Sequence, residues 1–315
     1  MAAAGPREPR VSVVIRSYMR LEHLSGLVSA CQKQDYANFE ILIIEQSEPL
    51  RNQYKDVFRA IREDPRVRLL EYPKLGYITA RNEGIRQATG EILLFIDDDD
   101  LPANGRWVAS HAANFQDPLC VASVGREIAA PGEDPAPHNT SKNVRRCLRY
   151  SPVLKLPRSH VVHTRRIEGV TSIKGGNCAL RRSALDRVGD WDERYNDFSH
   201  EEQYFDFKFR KVRNQGEYYV YDPLAVTLRR FDIPGGMNRR TRGLDETLLD
   251  ELFYSHTLIR RFNPLRFYLL YFAYASSAIK RSVKTRRQYA PDESLPKLIA
   301  KALASYVPAA FKAWR

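Results

Sequence analysis

The chain predicts an α/β fold: a mostly parallel central sheet flanked by helices, with a helical C-terminal appendage. Three observations carry this. Between residues 11 and 96, short β-branched apolar runs alternate with stretches of helical apolar spacing, as in βαβ units. The run at 92–96 is apolar without a break, and that at 39–44 is apolar but for Glu40, as in strands covered on both faces. Beyond Arg239 the alternation stops and a basic, aromatic-rich segment takes over.

Length and composition set the frame. At 315 residues there is room for one large α/β domain and an appendage, or for two modest domains. A hydrophobic share of 43% against 28% charged excludes wholesale disorder. The net charge of +12 points to an anionic partner: nucleic acid, an anionic lipid surface or a phosphorylated substrate. Cys31, Cys120, Cys147 and Cys178 are far apart, without metal-finger spacing, which predicts reduced structural thiols and a cytoplasmic protein. The first ten residues lack an apolar signal core, and no apolar run is long enough to span a bilayer; residues 267–279 come nearest.

Each element has its own warrant. Residues 11–15 form the first strand, ending at Arg16-Ser17-Tyr18-Met19-Arg20. Leu21, Leu24, Leu27, Val28 and Cys31 then mark a helix over 21–34. The second strand, 39–44, closes at Glu45-Gln46-Ser47; a helix through Tyr54, Val57, Phe58 and Ile61 precedes a third strand at 67–72. Residues 76–88 are helical and lead into the strand 92–96, which runs straight into Asp97, Asp98, Asp99 and Asp100. Four adjacent carboxylates repel one another, and a hard divalent cation compensates them, although a solvated acidic loop has the same composition. Ligands of open α/β sheets sit outside the carboxyl ends of the strands, where Ser17-Tyr18, Glu45 and the acidic run all fall.

Further on, the pattern predicts a helix at 107–115 and a strand at 119–124. Residues 129–166 interrupt it, Pro/Gly-rich and then basic, and suit either a flap over an anionic ligand or a solvated loop. Gly175-Gly176-Asn177 follows, with paired glycines that permit close backbone approach, then a short helix at 183–188 ended by Gly189. Ser199 and Glu202 have capping-box spacing before a helix over 203–213, and 218–221 and 225–228 predict two short strands. Of the histidines at 160, 163, 200 and 256, none has ligand spacing; His200, beside the carboxylates, is the one to test.

Taken together and in this order, these residues resemble the inverting glycosyltransferases of the GT-A fold, specifically family 2. The likeness lies in residues 11–20, in Ala80-Arg81-Asn82-Glu83-Gly84, in the segment 88–100 with its Asp-x-Asp, in Gly175-Gly176-Asn177 with Asp192-Glu193-Arg194-Tyr195, and in Glu201-Glu202; it spans about 11–228. The resemblance implies a Rossmann-like catalytic domain over 1–235. Within it, 10–125 is the nucleotide-sugar half, 129–168 a basic loop and 169–230 the acceptor half. It implies Mg²⁺ or Mn²⁺ held by Asp99, with Asp97 toward the ribose and the metal, Asp98 in the variable middle and Asp100 behind. It places Glu45 against the base of a UDP-, dTDP- or GDP-linked sugar, although the family's usual residue there is Asp. It also puts Ser17, Tyr18, Arg81, Gly175, Gly176 and Asn177 around the substrates. Glu202 is the expected general base, with Glu201 the alternative. No His near 225–228 matches the further metal ligand of some members. A sugar-nucleotide pyrophosphorylase would want a Gly-rich loop after the first strand, and 16–20 has none. A retired enzyme kept for membrane or nucleic-acid binding is countered by the intact carboxylate set, and no nucleic-acid motif occurs.

The appendage, 236–315, is basic and aromatic: past Arg260 only Asp292 and Glu293 are acidic. That composition suits the face of an anionic membrane and a lipid-linked or glycan acceptor, with the enzyme peripheral on the inner face, or a helical cover on the domain with a solvated basic side.

Overall fold

The computed structural model describes residues 8–129, 147–150, 163–197 and 200–230, with isolated positions between 294 and 304. The expected flap at 129–168 lies mostly, and the appendage 236–315 almost wholly, outside the described residues. The chain divides into two units, 1–193 with 205–234, and 194–204 with 235–315.

The first unit is built on a mixed sheet ordered β3-β2-β1-β4-β8-β6-β9-β5, with β7 joining β9. Its parallel part is β1 (Val11–Ser17), β2 (Phe39–Glu45), β3 (Val67–Glu71) and β4 (Ile92–Asp97). Every residue of β1 and β2 is buried, the polar Ser12, Arg16, Ser17, Glu40 and Glu45 among them. Helices cover both faces. Val13, Ile15, Ile41, Ile43, Leu94 and Ile96 join a core with Leu24 and Leu27 of α1 (Leu21–Gln32), Phe58 and Ile61 of α2 (Lys55–Arg62), and Trp107 and Val108 of α4 (Trp107–Ala113). On the other face α3 (Tyr77–Gln87) packs on β1 and β2. Its Gly84 lies so close to Val14 that a β-carbon would displace that side chain. The chain runs from β1 outward to β3 and returns to β4 on the other side of β1. The crevice between β1 and β4 is therefore the topological switch point, where such sheets bind ligands.

The rest of the sheet adds antiparallel pairs, so that the mostly parallel sheet is mixed. β8 (Asn177–Arg181) is antiparallel to both β4 and β6 (Cys120–Ala129). β5 (Asp100–Pro102) and β7 (Ile167–Val170) are antiparallel to β9 (Tyr218–Arg229), which is itself parallel to β6. The two strands expected at 218–221 and 225–228 are one. A register shift near Asp222 absorbs the Pro223-Leu224 interruption, so pairing with β6 resumes at Val226. α5 (Arg182–Val188) ends at Gly189, whose φ of +74° is the left-handed conformation that glycine adopts readily. α6 (Glu201–Val212) begins earlier than expected; Ser199, its expected cap, lies outside the described residues. All four cysteines are buried and unbridged.

Candidate active site

The turn that leaves β4 sorts the four aspartates. Asp97 is the last residue of β4 and Asp100 the first of β5, so the chain reverses within two residues. Asp97, Asp99 and Asp100 each bring a carboxylate oxygen within 4.8 Å of the others'. Asp98 is directed elsewhere: its Oδ1 accepts from Arg20 Nη1 at 2.6 Å and its Oδ2 from the Tyr18 backbone N–H at 3.2 Å. Asp100, expected behind the other two, shares the cluster with them, and Asp98, expected in the variable middle and around the substrates, anchors the β1–α1 turn.

Partners are unequally distributed over the cluster. Asp97 is paired with Arg16, whose Nη1 also donates to the Tyr77 carbonyl at 3.0 Å. Asp99 lies 3.1 Å from Arg20 Nη1. Asp100 is 1% exposed, and neither of its oxygens accepts a hydrogen bond. The charges follow suit. Burial pushes Asp97 upward, but Arg16, Arg81 and Arg229 hold it below the usual carboxylate range. Burial and then Asp97 raise Asp99. Burial, with Asp99 adding to it against Arg20, raises Asp98 to about 6. Asp100 is driven well above the ordinary range by burial and by Glu127, with Arg229 only partly offsetting them. An unpaired buried carboxylate costs several kcal/mol, roughly, unless a proton or cation joins it. The residues therefore fit a hard cation: three clustered carboxylates, one of them with no hydrogen-bond partner among the described residues.

The Gly175-Gly176 turn closes over this cluster. A β-carbon at Gly176 would stand 2.7 Å from Asp97 Oδ2 and 3.1 Å from Asp100 Oδ2, so only glycine fits without displacing a carboxylate. Arg81 holds the turn from beneath, its Nη2 donating to the Gly175 carbonyl at 3.2 Å. Expected at the nucleotide, Arg81 is instead fully buried, its guanidinium 4.2 Å from the Trp191 ring centre and near the rings of Tyr77 and Phe95. Its Nε and Nη1 lack hydrogen-bond partners. Asn177 is turned away from the site. Its Oδ1 accepts from Trp107 Nε1 (2.9 Å) and His111 Nε2 (3.0 Å), and its Nδ2 donates to the carbonyls of Arg126 and Ala225. The amide is a core tie, and the Asn177 backbone N–H donates to the Lys174 carbonyl at 3.1 Å.

At the neighbouring strand ends, Ser17 is buried with an unpaired hydroxyl, and Tyr18 is 42% exposed beside Lys74. Met19 takes a left-handed φ of +59°, held by its N–H donating to Ser47 Oγ at 2.6 Å. Glu45 is completely buried. One oxygen accepts the Ser47 N–H and the other accepts from Arg51 Nε at 2.6 Å.

Glu201 and Glu202 belong to the second unit and open α6, Glu201 buried and Glu202 half-buried. In that unit Tyr195 stacks on Tyr204, ring centres 5.3 Å apart, and His200 has a φ of +77°. His163 is tied to the Tyr221 hydroxyl through its backbone; His160 and His256 lie outside the described residues.

The sequence reading missed Arg16, Arg20 and Arg229, which share out the negative charge of the cluster. A signal existed for two of them, since Arg16 and Arg20 flank the first strand's end. It also missed His111, buried and lowered to about 4, chiefly by burial.

A sheet that presents a carboxylate cluster at its switch point, under a glycine turn and beside a buried guanidinium, has the architecture of enzymes acting on nucleotide-linked substrates. The chain belongs to glycosyl transferase family 2, whose profile matches residues 12–189, more than half of its length. A 102-residue stretch is 32% identical to the UDP-Glc:alpha-D-GlcNAc-diphosphoundecaprenol beta-1,3-glucosyltransferase WfgD of Escherichia coli, over 32% of this chain and 37% of that protein. A 95-residue stretch is 30% identical to the GalNAc(5)-diNAcBac-PP-undecaprenol beta-1,3-glucosyltransferase of Campylobacter jejuni, over 29% of this chain and 30% of that one. The match thus spans about a third of these relatives. In fold, the chain is similar to the mannosyltransferase PcManGT of Pyrobaculum calidifontis, solved with GDP-Man and Mn²⁺. The TM-score is 0.55 at 18% identity, over 98% of this chain and 86% of that one. It is also similar to S. aureus TarS in complex with UDP-GlcNAc, at TM-score 0.56 and 15% identity, over 96% and 81%.

Proposed function

We propose that the chain moves a sugar from a nucleoside-diphosphate sugar to a hydroxyl of a lipid-linked glycan, with inversion and with the help of Mg²⁺ or Mn²⁺. The buried, unpartnered carboxylate of Asp100 beside Asp97 and Asp99 is the observation that carries this reading. Asp97, Asp99 and Asp100 would hold the cation. When bound, it supplies Lewis-acid stabilisation of the diphosphate leaving group. The chain's own residues do the rest. Arg16 and Arg20 fix the carboxylates, and Arg81 keeps the Gly175-Gly176 turn close above them. Ser17 and Tyr18 offer a hydroxyl and a ring to the nucleoside. Inversion needs one base to take the acceptor hydroxyl's proton, and Glu202 is our candidate, with Glu201 the alternative. The greater exposure of Glu202 supports that choice.

The E. coli and C. jejuni relatives are named for diphosphoundecaprenol-linked acceptors, which supports an acceptor of that chemical class here. The basic, aromatic composition of residues 260–315 supports work at an anionic membrane face. Among the described residues no helix is long and apolar enough to cross a membrane.

A panel of UDP-, dTDP- and GDP-sugars, with acceptor and Mn²⁺, tests the reading through release of the nucleoside diphosphate. Release is expected from one donor class and is abolished by EDTA. Absence of release from every donor, or release indifferent to EDTA, would sink it. The Glu202→Gln variant should lose about 10²–10⁴ in turnover while binding donor normally. A near-normal rate would transfer the role to Glu201.

A further inference from the structure

The family resemblance puts Glu45 at the nucleobase, yet Glu45 has no free face. It is 0% exposed, and each oxygen is engaged, one by the Ser47 N–H and one by Arg51 Nε at 2.6 Å. The residue that does reach solvent is Arg51, one-fifth exposed. Its guanidinium lies across the carboxyl ends of two adjacent strands. Nη2 donates to the backbone carbonyls of Glu45, the last residue of β2, and of Tyr72, just past β3. Nε is held by Glu45, with Glu71 at 3.6 Å behind it. Every one of these contacts is made by Nε or Nη2, which leaves both N–H groups of Nη1 for a ligand. Glu45 is two strand positions from Asp97 across β1, or about 10 Å at ordinary strand spacing. Along that edge a nucleoside would extend from its diphosphate at the carboxylate cluster to its base.

We infer that Arg51, oriented by Glu45, reads the base of the donor by donating to a carbonyl at pyrimidine C4 or purine C6. The inference rests on the nucleotide-sugar reading above and deepens it. Its polarity is the reverse of direct recognition by a carboxylate, which would accept an N–H. Uracil, thymine and guanine present a carbonyl at that position. Cytosine and adenine present an amino group, whose hydrogens oppose those of Nη1. The pairing of Glu45 with Arg51 explains how this chain tolerates the longer Glu at the end of β2: the extra methylene is used to hold a guanidinium.

Calorimetric titration of the full chain with UDP, dTDP, GDP, CDP and ADP, in Mn²⁺, tests the idea. The wild type should bind the best carbonyl-bearing base at least about tenfold more tightly than CDP and ADP, the scale of one hydrogen bond to a charged group. In Arg51→Met that advantage should fall to within about threefold, and Arg51→Lys should keep part of it. An equal ranking of all five nucleotides by the wild type would overturn the inference without recourse to any variant. So would an undiminished preference in Arg51→Met, because a Glu45 freed of its cation would then be the reader. Failure of the wild type to bind any nucleoside diphosphate would instead remove the nucleotide-sugar reading itself, and this one with it.

Discussion

The two edges of the parallel sheet treat buried carboxylates in opposite ways. At the amino edge Glu40 is 3% exposed and accepts from Ser12 Oγ (2.7 Å), Thr89 N–H (2.8 Å), Thr89 Oγ1 (2.7 Å) and Arg68 Nη1 (3.2 Å). Burial pulls it upward, but the hydrogen bonds from Ser12, Thr89 and Arg68 hold it below its usual range. At the carboxyl edge Asp100 is as deeply buried and accepts nothing. Glu40 lies on β2, within the parallel ladder, whereas Asp100 opens β5, just past the carboxyl end of β4. A carboxylate with its partners built in is part of the scaffold, whereas one buried without them is a vacancy in the charge balance that a ligand can complete.

This contrast predicts effects of opposite sign. Asp100→Asn should reduce turnover about 10³-fold, the scale of several kcal/mol of lost charge stabilisation. In metal-free buffer it should also melt a few degrees higher than the wild type, while losing the Mn²⁺-induced rise in Tm that ligand binding confers. A lower metal-free Tm would show that Asp100 has structural partners after all. Gly176→Ala, which puts a methyl against Asp97 and Asp100, should lower turnover about 10²-fold, with weakened Mn²⁺ binding by calorimetry. Unchanged Mn²⁺ affinity would separate the turn from the cluster.

His111 tests buried ionisable groups satisfied by neutral partners. Its Nδ1 accepts from Ser123 Oγ–H at 2.9 Å and its Nε2–H donates to Asn177, which fixes the neutral ring. The unfolded chain protonates this histidine near 6.5 and the native chain only near 4, so its contribution is full above 6.5 and is lost as pH falls to 4. Urea titrations of the wild type and His111→Gln should differ by up to about 3 kcal/mol in their pH dependence over that window. Parallel curves would place the proton elsewhere. Asp98, raised to about 6, acts in the reverse sense between 3.8 and 6 and is common to both proteins. The smallest effect is expected at the amino edge: Glu40→Gln should cost about 2 kcal/mol of stability, read from the urea midpoint, with turnover intact. Loss of activity there would erase the distinction between the edges.

The parallel half of the sheet was legible because its strands are short runs dominated by β-branched and other apolar residues, each followed by helical spacing. β8 was not, because Asn177–Arg181 is short, polar at both ends, and made a strand by pairing with β4 and β6. β9 was divided in two because Asp222-Pro223 has the composition of a turn, and only a long partner reveals that the strand continues. The site was legible as a place and not as an arrangement. Four successive aspartates are equivalent in sequence. The reversal after β4 and the location of Arg20 decide that Asp98 faces one way and Asp100 another. Asn177 had a neighbouring glycine pair to recommend it, but a tryptophan and a histidine one helical turn apart on α4 claim its side chain. Glu45 was read correctly as a carboxylate at a strand end; the arginine six residues on, which occupies it, could be found only in three dimensions.

The pairing of β5 with β9 has a temporal consequence. Asp100 is opposite Arg229 in that ladder, and the Asp99 carbonyl accepts from the Arg230 N–H at 3.2 Å. During synthesis, β1 to β4 emerge together and can pair early, but the strand that clasps the acidic turn is translated some 130 residues later. The nascent chain therefore carries its parallel sheet before the strand that pairs with its acidic turn exists.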